Sequence, residues 1–359
     1  MNGVLTSVTL NGVTELPLDG QPITAIGPYA FRNCAELTAV SIPPTVTSIA
    51  SGAFSYCPNI REVRIGQSVC DQTMRIVFPQ AYQSITNAWI YTDETKNVGS
   101  SAFDGCAALA GIVIPPSVTN IGAYAFRNCS NLTSVVIGGL GVTNVGYAAF
   151  QNCVRLERIN IPDCVTSIGS YAFQNCTSLE SISVPNSEAS VGAGAFSGCT
   201  NLVDVTLPNG LTTLSANLFK DCTSLVSITI PASVSIVGSL AFGYCNGLTN
   251  IAFCGDKPAI SGNPFYGVAS NCTIYVPLHW NNGWADTCNG LPVVRAGGEV
   301  EECQQGAATY KLISGRFLYD IALNGETAFV VPDGVERIDN SAFYGCSGLE
   351  SIEIGRAHV

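Results

Sequence analysis

The chain has 359 residues, of which 47% are hydrophobic and only 11% are charged, with 26 acidic and 15 basic residues and a net charge of -11. This composition excludes a disordered polymer, and the absence of any Lys/Arg run argues against nucleic acid and anionic lipid as partners. No stretch approaches the roughly 18 uncharged apolar residues of a spanning helix, so we expect no direct membrane insertion of this segment.

The first residues, MNGVLTSVTLNG, lack a basic stretch followed by an apolar one. A secretion signal is therefore not expected within this segment. Two alternatives follow from the residues alone: the protein is cytosolic, or its natural start lies outside the sequence.

Phenylalanine recurs along the chain at nearly constant spacing. The intervals are 23 or 24 residues, apart from one of 49. Such spacing indicates a repeat architecture. The interval of 49 divides into a coil of 25 and one of 24 when the apolar positions are followed through it. The recurring residues are Phe31, Phe54, Phe103, Phe126, Phe150, Phe173, Phe196, Phe219, Phe242 and Phe265.

The most regular unit is residues 156–178, LERINIPDCVTSIGSYAFQNCTS. Ile159 and Ile161 alternate with polar residues, which predicts a strand with one buried face. Residues 165–168 predict a second short extended piece. Residues 171–176 place their apolar side chains at helical spacing over a length that favours a 3₁₀ turn.

One such unit cannot bury its own apolar side, so it must stack on copies of itself. We therefore predict an α/β repeat solenoid of about eleven to twelve coils. Its elements are mostly short parallel strands joined by 3₁₀ or short helical turns, with about 23 residues per coil. At the usual strand spacing the sheet is about 55 Å long.

The pattern LxxIxIPxxVTxIGxxAFxxCxxL resembles the BspA-like class of leucine-rich repeats. It covers most of residues 14–277 and recurs at 329–354, FVVPDGVERIDNSAFYGCSGLESIEI. The resemblance implies a leucine-rich repeat fold. Because this class occurs in secreted and cell-surface proteins, it also implies an extracellular or cell-surface location and adhesin-like binding. The matching residues are core residues, so they specify the fold and not the ligand.

The domain organisation follows from where the pattern stops and restarts. Trp280 and Trp284 follow the last strand of the first array and are expected to cover the end of its core. The motif IGRAHV at the end also reads as one translation frame of a widely used sequencing adapter. The first predicted division is a solenoid at 1–277, which starts with an N-terminal cap or truncated coil at 1–20. It is followed by a cap at 278–296, a linker at 297–308 and a second, truncated array at 309–359. The alternative origin of residues 355–359 is a sequencing artefact.

Cysteine is abundant, with sixteen residues, and ten of them lie three residues after a motif phenylalanine. This phase places them in one buried column. There we expect free thiols that donate a weak S–H hydrogen bond to a turn carbonyl. Stacked disulfides or a metal ladder are the alternatives, and Val268, at the same motif position, argues against both. Outside the column, Cys272 and Cys288 are the candidate disulfide. The column residues are Cys34, Cys57, Cys106, Cys129, Cys153, Cys176, Cys199, Cys222, Cys245 and Cys346.

Catalytic constellations are not apparent in the sequence. Triads and zinc sites generally use histidine, and the chain has only His279 and His358, neither with a partner set. The glycines of 138–141, GGLG, fit a lengthened turn better than a phosphate-binding loop. We therefore expect no enzyme, no metal and no cofactor.

The exposed face of the predicted sheet carries small, mostly uncharged side chains, which favours a broad protein or glycan contact over a small-molecule pocket. Departures from a repeat are where binding specificity is commonly found. One such departure is the irregular segment 70–84. The alternative interpretation is a degenerate coil in which Met74, Phe78 and Tyr82 fill the core. The candidate partner-binding residues are Glu62, Arg64, Trp89, Tyr91, Arg158, Asn160 and Asp204.

The sequence therefore predicts a non-catalytic scaffold that binds a protein or glycan on another cell or matrix. The competing hypothesis is a structural stalk that spaces other domains and has no ligand of its own. A face that is merely solvated would be consistent with the stalk.

Overall fold

The computed structural model shows a parallel β-solenoid of about twelve coils with about 23 residues per coil, which confirms the predicted fold class. The described residues are 3–6, 14–18, 20–91, 95–139, 141–185, 188–277, 284–296, 301–305, 308–313, 317–322, 327–331, 337–338, 346 and 349–354. Trp280, both histidines and residues 355–359, for which the sequence gave expectations, lie outside them.

The first strand of each coil lies in what we call the major sheet. Ser134 pairs with Gly111 on one side and with Arg158 on the other, so that neighbours are one repeat apart. The first hydrogen-bonded group of strands is Glu15–Pro17, Ala39–Ser41, Glu62–Ile65, Asn87–Ile90, Gly111–Ile114, Ser134–Ile137 and Arg158–Ile159. It is followed by the pair Ser181–Ser183 and Asp204–Thr206, and then by Ser227–Ile230, Asn250–Phe253, Thr273–Pro277 and Leu291–Ala296.

The second extended piece of each coil forms a narrower minor sheet. Its strands are mostly two residues long, because the chain turns back towards the core after one buried side chain. They are Gly3–Leu5, Ile23–Ile26 and Ser48–Ile49; then Asn97–Val98, Asn120–Ile121, Asn144–Val145, Ser167–Ile168 and Ser190–Val191; and then Thr213–Leu214, Ile236–Val237 and Ala259–Ile260.

The remaining corner of each coil is a succession of turns with the 3₁₀ spacing that the sequence predicts, and it is not a continuous helix. In the coil of residues 156–178, Gln174 N donates to Tyr171 O at 3.1 Å and Cys176 N to Phe173 O at 3.1 Å. Both bonds have 3₁₀ spacing. However, Tyr171 and Asn175 each have a φ of 58°, and a left-handed residue interrupts a right-handed helix.

Phenylalanine and cysteine form columns in the core. The ring of Phe150 is stacked between Phe126 and Phe173, with centroid distances of 5.2 and 5.3 Å. The Sγ of Cys176 donates to Phe150 O at 3.2 Å, the turn-carbonyl bond expected from the sequence. Cys272 and Cys288 are free thiols, so the candidate disulfide between them is not formed. The same cysteine-to-phenylalanine bond is made by Cys57, Cys129, Cys153, Cys199, Cys222 and Cys245.

The irregular coil keeps the register of the columns. Val63 pairs with Ala88, 25 residues later, so the predicted division of the 49-residue interval is confirmed. Phe78 takes the column position, 5.0 Å from the ring of Phe54, and Met74 is buried beside it. The degenerate-coil interpretation therefore describes this segment. Its extra residues form the helices Gln67–Cys70 and Met74–Val77 and the 3₁₀ turn Tyr82–Ser84.

The major sheet continues beyond residue 277. Leu291–Ala296 pairs in parallel with Thr273–Pro277 and antiparallel with the short strand Thr287–Cys288. Trp284 is buried against Phe253, with ring centroids 5.0 Å apart. Within the segment 297–308, which we expected to be a linker, residues Glu301–Gln305 form a strand. The later strands are Glu301–Gln305, Ala308–Ile313 and Phe317–Ala322, which are antiparallel, and Ala328–Val331, Arg337–Ile338 and Ser351–Ile354, which make parallel pairs.

Candidate functional site

The exposed face of the major sheet carries two rows of side chains. The rows arise because alternate residues of each strand point away from the core, as in Glu62–Ile65, where Val63 and Ile65 are buried. The first row is Glu15, Ala39, Glu62, Asn87, Gly111, Ser134 and Arg158. The second contains Ser41, Arg64 and Trp89, and then Val113 and Val136.

An open groove of about 260 Å³ lies across the N-terminal end of this face. The floor of the groove is the strand Ala39–Ser41, whose half-buried, outward-facing side chains are the smallest among the lining residues. Glu15 borders it on one side and Glu62, Arg64 and Trp89 border it on the other. The concavity comes from side-chain size across neighbouring strands, because the backbone of the sheet is continuous at this point.

Only part of the groove's polar surface is used within the chain. Asn87 Nδ2 donates to Glu62 Oε1 at 3.2 Å, and the hydroxyls of Ser41 and Tyr91 are hydrogen-bonded at 2.8 Å. No ion pair found in the described part of the chain includes Glu15, Glu62 or Arg64. The groove therefore offers carboxylate and guanidinium groups that remain available to a partner.

An apolar stripe, defined as Trp89, Val113 and Val136, leads away from the groove along the second row. Their exposed fractions are 45%, 58% and 55%. Val113 pairs with Val136, and Trp89 and Val113 each lie two residues beyond the paired Asn87 and Gly111. Three large apolar side chains in consecutive strands make a contiguous exposed patch, which is a common feature of interaction sites.

The structure brings together some of the predicted site residues. Glu62, Arg64 and Trp89 line the groove, and Tyr91 reaches it through Ser41. Sequence reasoning missed Glu15 on the opposite wall. The alternation of Glu15 with the buried Leu16 matches that of Ala39 with Val40 and is the signal that identifies it.

The other predicted residues lie apart from the groove. Arg158 is four strands from Glu62, which is about 19 Å at the usual strand spacing. It makes an exposed ion pair with Glu180 at 3.9 Å. Asn160 follows the same strand, and Asp204 belongs to the separate pair of strands.

The described ranges contain no group of three or more His, Cys, Asp or Glu residues placed to hold a metal ion. Burial raises the pKa of the Cys199 thiol to about 12, so this column thiol remains protonated and unreactive near neutral pH. Among the helices of the described residues, none has the length and apolarity needed to cross a membrane.

The chain matches the family model described as BspA type Leucine rich repeat region, with matched segments 13–133, 72–177, 96–224, 166–279 and 322–358. No curated protein matches it.

Solved structures similar to the chain include a leucine-rich repeat protein from Bacteroides ovatus, with 24% identity, 76% of this chain and 87% of that chain covered, and a TM-score of 0.37. A leucine rich cell surface protein from Faecalibacterium prausnitzii shares 23% identity over 79% and 87% of the two chains, with a TM-score of 0.32. A T. pallidum leucine-rich repeat protein shares 29% identity over 48% and 82%, with a TM-score of 0.42.

Proposed function

Because the chain belongs to the BspA-type leucine-rich repeat family, we propose that it is a non-catalytic binding module of an extracellular or cell-surface protein. Its recognition surface is the groove together with the apolar stripe. The repeated motif residues of this chain are buried in the core, and this leaves the outward-facing rows of the major sheet for recognition.

The observation that carries the proposal is where the large and charged outward-facing side chains lie on the major sheet. Farther along the same face, the outward-facing side chains are mainly short and uncharged, as at Ser181 and Ser183, with Arg158 and Asp204 as charged exceptions. The groove and the stripe lie on the first six strands of the major sheet, where a tryptophan, two carboxylates and a guanidinium occupy outward-facing positions. Exposed tryptophan and arginine are the residues most enriched at binding hot spots.

The test is a binding panel of immobilised matrix proteins and glycans, with Trp89→Ala as the probe variant. We expect affinity for the bound member to fall at least about 30-fold, which corresponds to a hot-spot loss of about 2 kcal/mol. Arg158→Gln is the matched control on the same sheet, outside the groove, and should leave affinity unchanged.

Equal binding by wild type and Trp89→Ala, with both variants folded, would refute the proposed surface. A panel with no binder at all would favour the stalk, whose array has no ligand.

A further inference from the structure

Charge is distributed asymmetrically around the groove. Glu15 and Glu62 lie in the same row on either side of Ala39, so their strands are about 10 Å apart. The residue between them in that row is Ala39, whose side chain is a methyl group. With one guanidinium, Arg64, at the border, the groove carries a local excess of negative charge on a chain whose net charge is -11.

The two valines of the apolar stripe favour a protein over a sugar as occupant, whereas the ring of Trp89 can stack on either. Valine side chains have neither a π-face for stacking nor a hydrogen-bonding group. Sugar hydroxyls placed against Val113 and Val136 would lose water without gaining partners, which is unfavourable. Apolar side chains of a protein would instead bury the stripe favourably.

We propose that the occupant of this face is a protein segment that places a Lys or Arg side chain between Glu15 and Glu62 and lays apolar side chains along Trp89, Val113 and Val136. This inference rests on the proposed function and names the partner's chemistry at the same surface. Charge complementarity at the acidic end orients the segment, and the stripe supplies the buried area.

Strand spacing sets the register of the segment. The strand of Ala39 is two strands from that of Trp89 and four from that of Val136, which gives separations of about 10 and 19 Å. An extended chain advances about 3.3 Å per residue. The basic residue therefore precedes or follows the apolar contacts by about three to six residues.

The test uses a displayed library of random peptides of about twelve residues, which span about 40 Å when extended. The library is selected on the full chain after depletion on the triple variant Trp89→Ala/Val113→Thr/Val136→Thr, which retains β-branched residues in the strands. We expect the recovered peptides to carry Lys or Arg about three to six residues from an apolar pair.

Affinity of these peptides should fall at least about tenfold, equivalent to about 1.4 kcal/mol, for Glu15→Gln/Glu62→Gln. The matched control is Glu157→Gln/Glu180→Gln, which removes the same charge elsewhere and should leave affinity unchanged. Raising salt from about 0.1 to 1 M, which shortens the Debye length from about 10 to 3 Å, should weaken binding.

Peptides without basic residues, equal affinity for the two double variants, or no peptide after depletion would each overturn the inference. If the glycan panel still shows binding that Trp89→Ala abolishes, the proposed function stands and only the partner's chemistry is refuted. If neither the panel nor the library yields a binder, both fail.

Discussion

Removing one ring from the phenylalanine column should strongly destabilise the solenoid. Phe150 is fully buried and stacked against a ring on each side, at 5.2 and 5.3 Å. Phe150→Ala is expected to lower the free energy of unfolding by about 3–5 kcal/mol, because the cavity lies between coils held in place by their own columns. This is a large fraction of the about 5–15 kcal/mol typical of a domain.

The measurement is equilibrium unfolding in urea, followed by circular dichroism. Phe265→Ala is the matched comparison, since among the described residues that ring stacks on one other, Phe242 at 5.9 Å. Losing one ring contact instead of two should make its effect smaller by about 0.5–1.5 kcal/mol. Equal losses for the two variants, or a loss below about 1 kcal/mol for Phe150→Ala, would refute the reasoning that the column stabilises the fold.

Three further predictions concern polar groups. Thr95 is fully buried, and among the described residues its hydroxyl has no hydrogen-bond partner. Thr95→Val should therefore raise the free energy of unfolding by about 1–3 kcal/mol, observed as a higher urea midpoint; a lower midpoint would contradict this. Burial raises the pKa of Cys199 from 9.0 to about 12. Only the unfolded thiol ionises between these values, so the stability from this thiol is complete below pH 9 and is lost as pH rises towards 12. Between pH 9 and 12, the free energy of unfolding measured in urea should fall more steeply with pH for wild type than for Cys199→Ala, by up to about 1.4 kcal/mol per pH unit. Identical pH slopes for the two proteins would exclude this linkage. Asp104 pairs with Arg127 through bonds of 3.0 and 2.5 Å, and Asp104→Asn should cost at most about 1 kcal/mol. That loss should shrink in 1 M salt, and a salt-independent loss would point to packing instead.

The columns were predictable because they depend only on sequence phase. The spacing of Phe126, Phe150 and Phe173 implies that their rings stack, and the apolar positions alone placed Ala88 opposite Val63. These inferences succeed because a residue that does not match its counterpart in the next coil leaves a cavity in the core.

The corners and the C-terminal strand were not predictable in the same way. Ala172, Phe173 and Cys176 have a spacing that suits either a 3₁₀ turn or a series of turns, and the positive φ of Tyr171 is not encoded by a glycine. The repeat pattern did not predict the strand Leu291–Ala296, because Val293 pairs with Ile274 only 19 residues earlier. This interval is shorter than the repeat.

The groove depends on relationships that single residues do not show. Glu15 and Glu62 are separated by 47 residues in the chain, and the space between them exists because the intervening strand contributes Ala39 and Ser41. Recognising it requires the register of three strands and the relative sizes of their side chains. The segment 70–84, which the sequence marks as irregular, instead contributes Met74 and Phe78 to the core.

The alternation of buried and exposed residues along each major strand separates two evolutionary pressures. Replacing an outward-facing residue changes what the molecule touches while leaving the interior intact, so such positions are free to diverge rapidly. Descendants of one ancestral array can thus acquire different partners while keeping the same fold. Comparisons among them should find variability concentrated at the outward-facing residues of the major sheet.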